Sequence, residues 1–402
     1  MNKMRKILLF VLLTSLMASL TGCWDLNELN ESSLITGMTL EPGQNHKVRV
    51  TVELLNANEA QAHKPGKGGA PSIIQSSEGN TIGEAVTLLN QSVDRTMLSS
   101  HIGVIIIDEK LARLGISEHL DTLQRARAVR EDVQILISKN TRASDLLKIL
   151  YPQGTYSSLK LRSQLNSYKK TWGGIANSRL FDLTQALLVE GREAAIGAVT
   201  LKGSPKDGEN LENVKSVVPK TLVELAGMAV FRDDKLLGFL TAENSRMVVM
   251  ARNQFLRGTT LSVPLEEKGK YAAIRLFRIK AKMQTTMKNG KPDMRLTLHG
   301  EGIIASIDKK EHLDEVAGFR HMEALTSTYV QQQMSTAIDN IQRKYGVDIF
   351  GFGEQLFRRH YKQYQEIAGN WNQLFTNSPV TVECNINLLR SELKTDKIEK
   401  EE

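Results

Sequence analysis

The sequence predicts an α+β protein of several domains, with mixed, largely antiparallel sheets flanked by helices. Three observations predict it. Segments such as Val48-x-Val50-x-Val52-x-Leu54 alternate apolar and polar residues between turn signals, as half-buried strands do. Ile102–Ile107, apolar on both faces, is followed by helical periodicity and a further strand, which marks one βαβ unit in the N-terminal domain. A long amphipathic helix near Phe319–Tyr345 lies among hairpins in the C-terminal domain. The 402 residues suffice for two or three domains.

The first element is a leader, residues 1–22. Lys3, Arg5 and Lys6 precede a mostly apolar run, Ile7–Leu20, too short to span a bilayer of about 30 Å comfortably. It ends Leu20-Thr21-Gly22-Cys23, similar to the lipobox of bacterial lipoproteins. The Cys23 thiol is the nucleophile there that takes a diacylglycerol thioether. Small Thr21 and Gly22 let a peptidase close on the backbone before Cys23. The expected product is an S-diacylglycerol cysteine at the new N-terminus, where an N-acyl chain such as palmitate can follow. At about 0.8 kcal/mol per buried CH₂, two chains anchor stably where one would not. No later stretch approaches 18 consecutive apolar residues, so the body is expected outside the bilayer, on its outer face.

Removing the three leader cations from the 52 basic residues leaves 49 against 45 acidic ones, a net of +4. That weak excess does not point to nucleic acid and suits a body beside anionic lipid. With Cys23 acylated, Cys384 is the one thiol left, on the apolar face of an alternating strand, where a buried and inert thiol is expected.

The body is expected to begin with an N-terminal α+β domain over 23–201. Leu34–Glu41 and Val48–Leu55 read as a hairpin around Pro42-Gly43-Gln44-Asn45, and Ala57–Ser72 as an exposed loop. Thr81-x-x-Glu84 reads as a capping box opening a helix through Val93. The strands Ile102–Ile107 and Val133–Ser138 enclose helices near Glu109–Leu114 and Glu118–Val129. Helices near Ala143–Leu150, Ser157–Tyr168 and Leu180–Val189 lead to a closing strand, Ala195–Leu201.

The polar run 202–221 reads as a linker. The C-terminal α+β region, 222–392, has room for two subdomains. Its hairpins are Leu222–Phe231 with Lys235–Leu240 and Tyr271–Met287 with Met294–Ile307, and Val380–Leu389 closes the fold before a charged tail, 393–402.

No catalytic, cofactor or metal constellation is visible. The eight histidines show no His-x-x-x-His pair, and neither a Gly-x-Ser-x-Gly elbow nor a phosphate loop is present. His101, leading into the central strand, reads as a strand-entry residue rather than a base. Arg125, Arg127 and Arg130 read as a solvated or ion-paired helix face. A non-enzyme is expected, with Cys23 as its lipid-attachment site.

The motifs go further. Gly22-Cys23-Trp24-Asp25-x-x-Glu28-Leu29-Asn30 resembles the opening of the C-subunit lipoproteins of spore germinant receptors, the Ger(x)C family. The resemblance continues through Ser100-His101-Ile102-Gly-Val-Ile-Ile-Ile107, Ala226-Gly-Met-Ala-Val-Phe231, Tyr345-Gly-x-Asp348-Ile-Phe-Gly-Phe-Gly353, Trp371 and Phe375. This chain departs from the family in carrying Glu41 where Asp usually ends the first strand, Ala126 after Arg125, and Ser391 for a Gly. The resemblance implies a lipid-anchored subunit on the outer face of the inner spore membrane. It also implies A and B membrane subunits as partners and a role in assembly or signal coupling during nutrient-triggered germination. A solute-binding lipoprotein of a transporter is the alternative reading.

Overall fold

The computed structural model describes residues 2–18, 32–56, 71–151, 156–255, 258–308 and 316–391. Cys23 with its flanking motif, most of the expected loop 57–72 and the tail 393–402 lie outside them. Asn2–Ala18 forms helix α1, and no described helix is long and apolar enough to cross a membrane.

The first sheet is built from β1 (Ser32–Pro42), β2 (Val48–Leu55), β3 (Ser72–Gly79), β4 (Thr96–Leu98), β5 (Val104–Ile107), β6 (Gln134–Ser138), β7 (Ala195–Lys202), β8 (Leu222–Arg232) and β9 (Lys235–Phe239). Its order is β3-β2-β1-β5-β6-β7-β8-β9, with β4 beside β1. The centre is parallel (β1–β5, β5–β6, β6–β7) and both margins are antiparallel. Residues 104–107 are wholly buried because helices cover both faces, and a strand with no solvent side has no polar side. On one face pack α2 (Ile82–Leu88), α3 (Glu109–Leu114), α4 (Ser117–Arg125) and α7 (Leu180–Leu188). On the other lie α5 (Ala143–Leu147) and α6 (Ser157–Thr171).

Buried carboxylates tie these helices to the sheet. Glu53 on β2 is fully buried and accepts from the first amides of α6, Ser157 at 2.8 Å and Ser158 at 3.0 Å, and from the Thr36 and Ser72 hydroxyls. A buried anion on the positive end of a helix dipole is stabilised from both sides. Glu41 reaches Ser144 N in the same way, at 2.9 Å, so the longer side chain at this position still serves α5.

Three expectations are corrected. Helix α4 stops at Arg125 because Ala126 is extended (ψ 108°), so Arg127 and Arg130 are not on it; Arg125 pairs with Asp121 and Arg130 with Asp132. The run 202–221 is not an open linker: it folds into α8 (Pro205–Gly208) and α9 (Leu211–Lys215), with Asn213 buried and bonded to Leu150 O and Thr221 O. The hairpin Leu222–Phe239, placed by sequence in the C-terminal region, pairs with β7 and completes the first sheet. Residues 202–221 thus return the chain as an antiparallel neighbour.

The second sheet, β10 (Thr259–Pro264), β11 (Tyr271–Lys288), β12 (Lys291–Ile307) and β13 (Val380–Ser391), follows α10 (Ala242–Ala251). β11 and β12 turn on Asn289 (φ 50°) and Gly290 (φ 76°), the pair of left-handed residues a two-residue hairpin needs. Helix α11, Val316–Tyr345, lays Met322, Val330, Met334, Ile338 and Ile341 into the core with this sheet. Cys384 is half-buried against that core, and burial pushes its thiol up to about 12, so it stays protonated.

Candidate functional site: the joint between the two halves

α11 ends at Tyr345, and Gly346 (φ 61°) reverses the chain, its amide donating to Gln342 O at 3.1 Å. The next residues, Val347–Gly353, form a knot around Asp348. That side chain is fully buried. Its Oδ1 accepts from the amides of Phe350 (3.0 Å) and Gly351 (2.8 Å). Its Oδ2 accepts from Gly353 N (2.8 Å) and Trp371 Nε1 (3.1 Å). Four donors use all the lone-pair directions of a carboxylate, so Asp348 has none left for a substrate. Burial nevertheless raises its carboxyl to about 6, against the pull of those donors.

The knot leads into α12 (Phe352–Arg359), followed by α13 (Tyr361–Ile367) and α14 (Trp371–Asn377). Phe352 stacks on Phe375 and meets Phe350 at a tilt, and Thr285 of β11 donates its hydroxyl to Phe352 O at 2.9 Å.

From the other half comes the turn between α7 and β7. Gly191 (φ 79°) lies against Gly353, where a Cβ on Gly191 would stand 2.4 Å from Gly353 C. Gly191 O accepts from Glu354 N at 2.9 Å, and Glu193 N donates to Asp348 O at 2.8 Å. Arg192 pairs with Glu354 at 3.1 Å. Glu193 accepts from Asn372 Nδ2 (2.9 Å) and from Asp233 N (2.8 Å), and burial holds its carboxyl above the ordinary range. Arg232 and Tyr345 add two bonds across the same seam, Arg232 Nη2 to Tyr345 O and Tyr345 Oη to Phe239 O. The halves are locked by backbone and buried side chains rather than parted by a cleft.

Gly353 has no space for a methyl group: its Cβ would fall 2.3 Å from Trp371 Nε1. Gly353→Ala should therefore cost about 1–3 kcal/mol of stability, as overpacking does. Denaturant unfolding checks this, and an unchanged midpoint would contradict it.

The motif residues Asp348, Gly353, Trp371 and Phe375 are brought together here. His101 is not among them; it is exposed in a short turn, 3.0 Å from Ser100 Oγ. Among the described residues no group of three His, Cys, Asp or Glu side chains could hold a metal ion. Sequence reasoning missed Arg192, Glu193 and Asn372. Gly191, between Glu190 and Arg192, is the local signal that could have marked a turn in their neighbourhood.

Residues 25–201 match the family described as the spore germination protein N-terminal domain, and residues 226–392 the one described as spore germination B3/GerAC like, C-terminal. The chain is 23% identical to spore germination protein KC of Bacillus subtilis (strain 168), over 98% of both chains. It is 20% identical to spore germination protein GerQC of Bacillus cereus, over 96% of this chain and 99% of that one. The crystal structure of the GerBC protein shares the fold, with a TM-score of 0.56 and 17% identity, over 91% of this chain and all of that one. Two family domains, matched in order along most of the chain, assign it to the Ger(x)C family, the C subunits of spore germinant receptors.

Proposed function

We propose that this chain is the lipid-anchored C subunit of a nutrient germinant receptor, held on the outer face of the inner spore membrane through acylated Cys23. It acts without catalysis, in assembly of the receptor with its A and B membrane subunits or in coupling their signal. The observation that carries the reading is the joint. The C-terminal motif residues are spent on each other, with four donors on Asp348, and Glu193 from the other half takes two more, so that the two halves are held in one arrangement. A rigid body on a short tether suits a docking or coupling part, and a binding protein that closes on solute needs a hinged cleft instead.

Deleting the gene in a strain without paralogues should abolish germination on one class of nutrient and leave lysozyme-induced germination intact. Loss of optical density in purified spores measures both. Normal germination on every nutrient would remove the receptor role.

A further inference from the structure

The second sheet has one covered face and one bare face, and the bare face is cationic. Along β11 the inward residues, from Ile279 to Met287, pack on the core, and the alternate residues Lys280, Lys282, Gln284, Thr286 and Lys288 are exposed. The pairing sets His299, Thr297, Arg295, Asp293 and Lys291 of β12 beside them in that order, and β13 adds Asn385, Glu383 and Thr381. Three acids on this face each hold one cation: Glu301 with Arg278, Asp293 with Lys288, and Glu383 with Arg295. Lys280, Lys282 and Lys291 have no acidic partner among the described residues. At the hairpin end Lys291 stands directly opposite Lys288, whose charge Asp293 already holds, so Lys291 is the cation there without an acidic partner.

We propose that this face rests on an anionic phospholipid surface, the three unpaired lysines meeting lipid phosphates. The inference rests on the membrane-anchored reading of Cys23 and adds the side by which the body meets the bilayer. Two features favour lipid over an acidic protein. The outward residues between Lys280 and Lys291 include no Phe, Tyr, Trp or Met, Tyr271 standing exposed only at the far end of β11, whereas protein interfaces concentrate aromatic and Met anchors and are poor in Lys. A lipid anchor also places a large anionic plane within reach of a tethered body, and acyl chains combined with a basic patch are a recurrent two-part attachment.

The test uses the full-length acylated protein in vesicles of phosphatidylcholine alone or mixed with phosphatidylglycerol. Amine-reactive labelling is read lysine by lysine by mass spectrometry. Labelling of Lys280, Lys282 and Lys291 should fall about threefold or more in the anionic vesicles and recover at high salt, as surface electrostatics are screened. Lys235 and Lys362, exposed elsewhere, should label alike in both. In the triple variant Lys280→Glu/Lys282→Glu/Lys291→Glu, Lys288 should lose any difference between the two lipids. Equal labelling in both lipids at low salt would overturn the proposal. So would protection that appears in neutral vesicles only when the receptor's membrane subunits are added, which would assign the face to a protein. Retention on neutral vesicles reads the anchor and the difference between lipids reads the face, so the two fail separately.

Discussion

Asp348→Ala should lower the unfolding free energy by about 3–5 kcal/mol, because it strands four buried donors at once. A single buried unpaired group costs about 1–3 kcal/mol, and some relaxation or water entry keeps the total below four times that. Asp348→Asn tests the charge separately from the shape. One amide oxygen still accepts, but its NH₂ faces N–H donors, so an intermediate loss is expected. Urea unfolding of the body measures both. The pH dependence supplies a second readout with a definite sign. The folded carboxyl titrates near 6 and the unfolded one near the ordinary 3.8, so between them the folded chain keeps a proton that the unfolded chain releases. The Asp348 contribution to stability should therefore rise as pH falls from 7 through 6 and level off below about 4; Asp108 and Glu193, also raised by burial, add in the same direction, and His119, Glu78, Asp132 and Asp293, held below their ordinary values, act in the opposite one. Asp348→Ala should flatten part of that slope. A variant as stable as wild type, with the same slope, would mean that the knot does not hold the halves.

The second large effect is on location rather than stability. Cys23→Ala removes the only nucleophile at the lipobox and leaves every contact of the joint untouched. The variant should keep the wild-type unfolding midpoint yet appear as an unprocessed precursor, or leave the detergent phase on phase partitioning. Nutrient germination should fail with it if, as proposed, two acyl chains on Cys23 supply the stable attachment. Unchanged partitioning of a processed variant would show that something other than acylation keeps the chain at the membrane.

Much of the fold was legible because its elements obey short-range rules. The alternation of Val48–Leu55 and the doubly apolar Ile102–Ile107 became strands, and the hairpin expected of Tyr271–Met287 with Met294–Ile307 formed around Asn289-Gly290. Thr81 accepts from Glu84 N and caps its helix, although that helix ends at Leu88 instead of running to Val93. Strand β3 went unread because Gln75, Ser76, Ser77 and Glu78 give it no apolar stripe; it is held as a neighbour of β2. Helix α10 went unread for the opposite reason. Seven consecutive residues, Ser245–Ala251, are buried, and a helix buried all round has no polar face to mark its period.

The joint was half legible. Asp348, Trp371 and the glycines stood out as a motif, but their purpose did not. Glu193 meets Asn372 across 179 residues of sequence, and Arg232 meets Tyr345 across 113. Pairings of that separation leave no local trace, and the same is true of the return of β8 to the first sheet through 202–221.

Mass spectrometry of the mature protein isolated from spore membranes tests the proposed anchor most directly. An N-terminal peptide beginning at Cys23, heavier by a diacylglycerol thioether with or without an amide-linked acyl chain, is the predicted result. A peptide carrying a free Cys23 thiol, or one still joined to Gly22, would contradict it.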